Sequence, residues 1–225
     1  MAILEWDKSG ERYLEYGTKK GVFYPQNANG SYGTGVVWNG LTAVTESPDG
    51  AEPNDLYADD IKYASLRSAE TFGGTIEAYT YPEEFCACDG TASPSTGVYV
   101  GQQSRMPFGF SFVTKVGNDT ASESDDGYKL HLWYNCTASP SERSYETVND
   151  SPDAITFSWE VTTTPVQVSG YKPVSTITID TTKLDAAGKT ALATLEGQLY
   201  GTENSEPTLP SAADVIAAFT PKTTP

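Results

Sequence analysis

The stretch "AITFSWEVTTTPV", residues 154–166, alternates apolar and polar side chains with a period of two. Ile155, Phe157, Trp159 and Val161 fall on one side of an extended chain, and Thr156, Ser158, Glu160 and Thr162 fall on the other. A half-buried β-strand has this pattern, because successive side chains point to opposite faces of a sheet. One face belongs to a core. The other is wet, rich in hydroxyls and acidic.

The same scheme recurs outward from this strand. In "STITID" (175–180), Ile177 and Ile179 oppose Thr176, Thr178 and Asp180. Further strands are expected in "GVFYP", "TGVVWNGLTAV", "IKYASL", "GGTIEAYTYP", "GVYVGQQ", "MPFGFSFVTKV" and "YKLHLWYNC". About nine strands in one chain are enough for a closed or sandwiched β architecture. Hydrophobic residues at 38%, with 20 glycines and 14 prolines, place the chain among folded strand-and-turn proteins rather than disordered ones. A length of 225 residues fits one all-β domain.

Two segments lack apolar periodicity. "TESPDGAEPNDLYADD" (45–60) holds six acidic residues and no basic one, and "NDTASESDDG" (118–127) holds four and none. Each is expected to be a long acidic loop, and such loops in compact domains tend to carry function. Leu56 and Tyr57 sit inside the first. After residue 182 the period changes to a helical one. Thr182 and Asp185 fit a capping box, Leu184, Ala191, Leu192, Leu195 and Leu199 mark one stripe, and Gly201 ends it. A second short helix, "SAADVIAAF", starts at Ser211 with Asp214 three residues on and stops before Pro221, and "TPKTTP" reads as a loose tail.

Familiar catalytic patterns fail on inspection. "AGKT" (187–190) resembles part of a phosphate-binding loop, but Lys183 stands where the first glycine is needed, and Gly188 lies inside the expected helix. His131 is the only histidine, no G-x-S-x-G elbow exists, and one histidine cannot build a multi-histidine metal site. Acidic pairs such as Asp59-Asp60 and Asp125-Asp126 read as solvated carboxylates without the EF-hand spacing, although weak calcium binding at 118–127 stays open. The three cysteines are too few for structural zinc, and Cys86-Ala-Cys88 lacks the C-x-x-C redox spacing. In "PEEFCACDG" (82–90), Pro82, Glu83 and Glu84 suit the first turn of a short helix, which separates Cys86 from Cys88 and turns Phe85 inward. Cys136 alternates with Leu132 and Tyr134 and reads as a small core residue. No cofactor is implied.

Thirty acidic against 14 basic residues give a formal net charge of −16, which argues against gripping nucleic acid through its phosphates. No apolar run approaches the roughly 20 residues of a membrane span, and "MAILEWDKSGER" lacks the features of a secretory leader. Synthesis in a cytoplasm is expected, so matches such as Asn135-Cys136-Thr137 carry no weight as glycosylation sites.

The blocks "GVFYP", "VVWNGLTAVTESPDGAEPNDLYADDIKYASLRSAETFGGTIEAYTYPEEF", "GQQSRMPFGFSF", "GYKLHLWYNC", "VNDSPDAITFSWEVTTTPV" and "GYKPVSTITID" resemble, in order and through nearly the whole chain, the major tail (tail tube) proteins of long-tailed, non-contractile phages of Gram-positive bacteria. The resemblance implies a single mainly β tail tube domain, a two-sheet sandwich or barrel with one flanking helix and a short C-terminal helix. It implies an N-terminal arm over about residues 1–20, the acidic loop over 45–60 and C-terminal helices and tail over 183–225. It also implies a virion structural protein, not an enzyme. Six copies would form each ring, rings would stack into a tube, and DNA would pass through the lumen during ejection without specific binding. Expected partners are further copies of the chain and other tail proteins such as tape measure and terminator proteins, with no membrane.

Under that reading Ser158, Glu160 and Thr162, with Thr178 and Asp180, are candidates to line the lumen, where a polar wall stays wetted and does not trap phosphates. Leu56, Tyr57, Asp59 and Asp60 are candidates for contact between subunits or rings. The alternative is a carbohydrate-binding β-sandwich, suggested by 14 tyrosines and four tryptophans that could stack on sugars. An acid-catalysed hydrolase comes third, resting only on the abundance of carboxylates.

Overall fold

A computed structural model describes residues 3–50, 52–120, 127–148 and 153–220. The strands in chain order are β1 (Tyr13–Pro25), β2 (Val36–Trp38), β3 (Leu41–Glu46), β4 (Asp49–Gly50), β5 (Pro53–Ala58), β6 (Ile61–Arg67), β7 (Glu70–Thr71), β8 (Gly73–Ala78), β9 (Ala92–Ser95), β10 (Val98–Val100), β11 (Phe108–Asn118), β12 (Gly127–Ala138), β13 (Phe157–Thr163) and β14 (Thr176–Asp180). Two helices follow, α1 (Ala186–Tyr200) and α2 (Ala212–Phe219). The fold is mainly β, and every expected strand is present.

The alternation at 154–166 produces β13, with Trp159 and Val161 buried and Glu160 and Thr162 exposed. The ladder is shorter than the pattern. Ala78, the last residue of β8, lies opposite Phe157, so the residues before Phe157 have no partner strand and Ile155 stays exposed.

Eight strands make one antiparallel sheet in the order β2-β1-β11-β12-β13-β8-β3, with β14 added to β12. β12 is shared: Lys129–Trp133 pair with β14, and Cys136–Ala138 pair with β13. The end strands β2 and β3 are separated in the chain only by Asn39 and Gly40, and Gly40 takes a left-handed φ of +74°. Margins two residues apart cannot stand at opposite ends of a flat sheet, so the sheet rolls. Leu41 of β3 fills the space where a Cβ on Gly21 of β1 would sit. No ladder joins β3 to β1 or β2, so the roll is a barrel left open at one seam.

Rolling creates two cores. Inside lies an aromatic one, where Phe23, Trp38, Phe108, Phe110, Phe112, Trp133 and Trp159 join Ile76, Ala78 and Val161. Outside, Val22, Tyr24, Val113, Leu130, Leu132, Tyr134 and Ile179 are covered by Leu192, Leu195 and Leu199 of α1 and Val215 of α2. The helices therefore cover only the half of the roll built from β1, β11, β12 and β14. Tyr24 spans this second core and donates its hydroxyl to the Leu199 carbonyl at 2.9 Å.

Local details refine the expectations. Asp185 caps α1, accepting the Gly188 N–H at 2.7 Å, whereas Thr182 belongs to a turn held by Asp180. Ser211 caps α2 through the Asp214 N–H, and Gly201 ends α1 at φ +78°. Leu132 and Tyr134 face the helices, but Cys136 lies in the aromatic core. Asn135, at φ +49°, sits in a register slip between Trp133 and Cys136 that reverses the alternation.

Residues 13–20 of the expected N-terminal arm are part of β1, with Tyr13–Tyr16 and Lys19 paired to β11. Most of the acidic stretch expected as a loop is ladder, at residues 45–46, 49–50 and 53–58, because polar strands in a two-stranded ribbon need no apolar period. Residues 121–126 of the 118–127 segment, where weak calcium binding was left open, lie outside the described residues.

Candidate functional site

β3 and β8 leave the sheet together. Their pairing continues through Asp49↔Thr71 and Gly50↔Glu70 and then through β5 and β6, from Pro53↔Arg67 to Ala58↔Ile61. Apart from residue 51, which lies outside the described residues, residues 41–78 thus form one interrupted hairpin, whose distal strand Pro53–Ala58 spans about 17 Å at roughly 3.3 Å per residue. Asp59 and Asp60 make its tip, both left-handed at φ 51° and 61°, as a two-residue hairpin turn requires. The sequence signal was two strand-like runs separated by two turn-forming aspartates.

The faces of this arm differ. Leu56 pairs with Ala64, Ala58 with Ile61 and Asn54 with Leu66, giving a mainly aliphatic face. None of the described residues covers it: Leu56 is 41%, Ile61 64% and Leu66 57% exposed. On the other face Asp55 binds Lys62 at 2.8 Å and accepts from Ser65 at 2.7 Å, beside exposed Tyr57. A register slip next to Tyr57 inserts Tyr63, which is also exposed. An isolated two-stranded ribbon is marginal in water, and an apolar patch on one is a place where another surface binds.

The second candidate surface is the outer side of β13, β8 and β3. Cross-strand rows run Thr45–Thr75–Glu160 and Ala43–Glu77–Ser158, with Thr162 between Gly73 and Thr137. Ser158, Glu160 and Thr162 are thus gathered on one hydroxyl and carboxylate wall. With Asp49, Ser141 and Glu142 they border a shallow hollow of about 670 Å³ whose lining includes no lysine or arginine.

Thr178 and Asp180 are not on this wall. They share a face of β14 with the positions of β12 that pair with them, His131 and Lys129. That is the inner side of the roll, at its open mouth, where Phe112 stacks on the His131 ring at 4.5 Å between centroids. Two carboxylates converge there. Glu15 of β1 accepts from Thr114 at 2.5 Å and pairs with Lys129, and Glu46 of β3 accepts the Trp133 indole N–H at 3.1 Å. Burial pushes the Glu15 carboxyl up, but hydrogen bonds from Lys129 and Thr114 outweigh it and leave it below the usual range. Glu46 is held down chiefly by His131, with help from Trp133 against burial.

Residues 83–87 form a single 3-10 turn that drives Phe85 into the open roll. Its ring lies 4.6 Å from Trp38, 5.3 Å from Trp159, 5.4 Å from Phe108 and 5.5 Å from Phe23. Asp89, just beyond, is pushed up by burial and pulled back by Arg143 and Arg105, and Arg143 also lies over the Tyr81 and Phe157 rings. All three cysteines are buried free thiols, with burial raising Cys88 to about 12, so they are chemically quiet. Among the described residues no group of histidine, cysteine and carboxylate could hold a metal ion. Three of the four tryptophans, Trp38, Trp133 and Trp159, are at most 2% exposed, which removes them as stacking platforms for sugars.

The fold is a rolled β body with an uncovered arm and a wet outer wall, and among the described residues it gathers no metal-binding cluster. The family model of phage tail tube proteins matches residues 6–196, and the chain belongs to that family. It is therefore a structural component of a virion tail. No curated protein matches the chain. No helix among the described residues is long and apolar enough to cross a membrane.

Proposed function

We propose that this chain is the repeating subunit of a non-contractile tail tube, six copies closing into each ring and rings stacking into a hollow tube through which DNA is ejected. The match to the tail tube family over residues 6–196 carries the reading. Two features of the fold support it. Among the described residues β14 pairs only with β12, so its other margin offers a strand edge to a neighbouring copy. The arm's aliphatic face has no cover among the described residues.

In this reading the outer wall of β13, with Ser158, Glu160 and Thr162, faces the lumen. Hydroxyls keep it wet, and its carboxylates repel the DNA backbone so that the polymer slides without sticking. Thr178 and Asp180 lie on another surface and drop out of the wall. The arm contacts a copy in the same or an adjacent ring, with Leu56 and Ile61 as apolar anchors and Tyr57, Asp59 and Asp60 around them. Tape measure and terminator proteins would meet the inside and the end of the tube.

Electron microscopy of the purified protein and of virions tests the assembly, with stacked six-fold rings expected. A protein that stays monomeric at high concentration and is missing from tails would overturn it. Glu160→Lys is expected to leave folding and tube formation intact while lowering infectivity, and unchanged infectivity would place Glu160 away from the channel.

A further inference from the structure

Two exposed features stand at opposite ends of β3. The arm begins at its Glu46 end, where the ladder with β8 passes on to Asp49 and Thr71. At its Leu41 end, beside Asn39 and Gly40 and on the unpaired seam of the roll, lies a hollow of about 200 Å³. Lys19 and Lys20 of β1 and Val37 of β2 border it, and no carboxylate does. Successive residues of a regular strand point to opposite faces. Here the ladder slips on both sides of Lys19, and Lys20 is left-handed at φ +54°, which lets both lysines border one hollow.

Among the described residues neither lysine forms an ion pair with a carboxylate. The Lys20 ammonium lies 5.3 Å from the centroid of the Tyr200 ring, which holds the charge in place without neutralising it. Val37 beside them is 62% exposed. Pockets that enclose whole small molecules start at about 300 Å³, so this hollow suits side chains protruding from another surface.

The tip of the arm is the complement. Asp59 and Asp60 are exposed on a two-residue turn, and among the described residues no cation pairs with either. Ile61, which follows them, is 64% exposed. Copies of a chain with a net charge of −16 repel one another, so a contact between them needs places where the signs are opposite. Two unpaired lysines beside an apolar wall, and two unpaired aspartates beside an apolar side chain, meet that need.

We infer that the arm tip of one copy docks in the seam hollow of another, Asp59 and Asp60 pairing with Lys19 and Lys20 while Ile61 packs on Val37. The inference rests on the tail tube reading and names the surface that the arm meets. No residue of the arm borders the hollow of its own chain, because the two lie at opposite ends of β3. The contact is therefore head-to-tail: each copy gives a tip and receives one, so the pairing repeats from copy to copy.

The test is carbodiimide cross-linking, which joins a lysine to a carboxylate in contact with it, on the full chain assembled from equal parts of unlabelled and ¹⁵N-labelled protein. Links of mixed isotope, which arise only between copies, are expected from Lys19 or Lys20 to Asp59 or Asp60. Asp59→Asn with Asp60→Asn keeps a turn that tolerates the left-handed backbone, and Lys19→Gln with Lys20→Gln removes the charge of the hollow. Each pair of substitutions is expected to raise the protein concentration needed for tubes about fivefold, the scale of two exposed ion pairs, with the difference shrinking in added salt. All four together are expected to do no more than either pair, since both break one contact. Links from the two lysines only to other segments, unchanged assembly in either paired variant, or losses that add in the combined one would each overturn the docking. Tubes that lack these links would remove the tip contact and leave the tail tube reading standing, whereas the links in a protein that never forms rings would keep the contact and remove the tube.

Discussion

β3 and β8 are one pair of strands with two fates. Within the roll their inward residues, Val44, Ile76 and Ala78, join the aromatic core, while Thr45, Thr75 and Glu77 form the outer wall. Ten to fifteen residues further along the same hairpin, Leu56, Ile61, Ala64 and Leu66 also share a face, and none of the described residues covers it. The chemistry of the side chains is alike in the two regions. What differs is the third layer. In the body the sheet curls back upon itself, whereas the arm is a ribbon of two strands with nothing to curl against.

The largest expected effect breaks the body and spares the arm. Phe85→Ala empties the centre of the roll and is expected to cost about 3–5 kcal/mol in urea unfolding, as deletion of a buried phenyl ring does. Tyr63→Ala in the arm is expected to stay within about 0.5 kcal/mol, because the ring is 76% exposed. Similar losses in the two variants would show that the arm is packed in the free protein.

A smaller effect follows acidification. Glu15 and Glu46 are held below their ordinary range in the folded body. A depressed carboxylate contributes stability above its unfolded value and loses it as pH falls through the folded one, so this contribution is present at neutral pH and disappears below about pH 4.5. The melting temperature is expected to fall less between about pH 6 and 3 in a Glu15→Gln, Glu46→Gln double variant than in the unmodified protein. Asp55 in the arm is also lowered, first by Lys62 and then by Ser65, but its pair with Lys62 lies at the surface, where solvent and salt screen it, and Asp55→Asn should leave the acid profile nearly unchanged.

The smallest effect on the subunit is expected to have the greatest consequence for assembly. Ile61→Ser with Leu66→Ser should leave the melt of the monomer within about 0.5 kcal/mol, since neither residue is buried. Sedimentation of the same protein should show loss of ring or tube formation. Undiminished assembly would remove the aliphatic face from the interface.

Much of the body was legible because its strands are covered on one face, and coverage writes alternation into the sequence. β13 and β14 announced themselves this way, as did the α1 stripe of Leu192, Leu195 and Leu199. The first half of the arm was misread for the complementary reason. β5 buries nothing, so "PNDLYA" was under no demand to alternate, and its acidic residues read as a loop. Asp59 and Asp60 were noticed as carboxylates when their more informative property was tolerance of a left-handed backbone. Cys136 is a core residue as its alternation suggested, but on the opposite face from Leu132 and Tyr134, because the slip at Asn135 reverses the later side chains, and no residue type announces such a slip.

The candidate site was divided in the same way. Ser158, Glu160 and Thr162 were legible as one polar face because they lie on a single strand, where spacing alone decides the side. Thr178 and Asp180 had the same spacing on their own strand, but which side of the roll that face met depended on β14 joining β12 rather than β13. The sequence by itself determined most strands of the body, the Ser211 cap of α2 and the tail tube family, since each rests on residues near one another in the chain or on a pattern carried along it. Only the tertiary structure decided that the sheet rolls without closing, that the acidic stretch is an arm and that the lone histidine lies between two carboxylates from distant strands. Those outcomes depend on pairings between residues up to about a hundred positions apart, and no local pattern of side chains specifies such pairings.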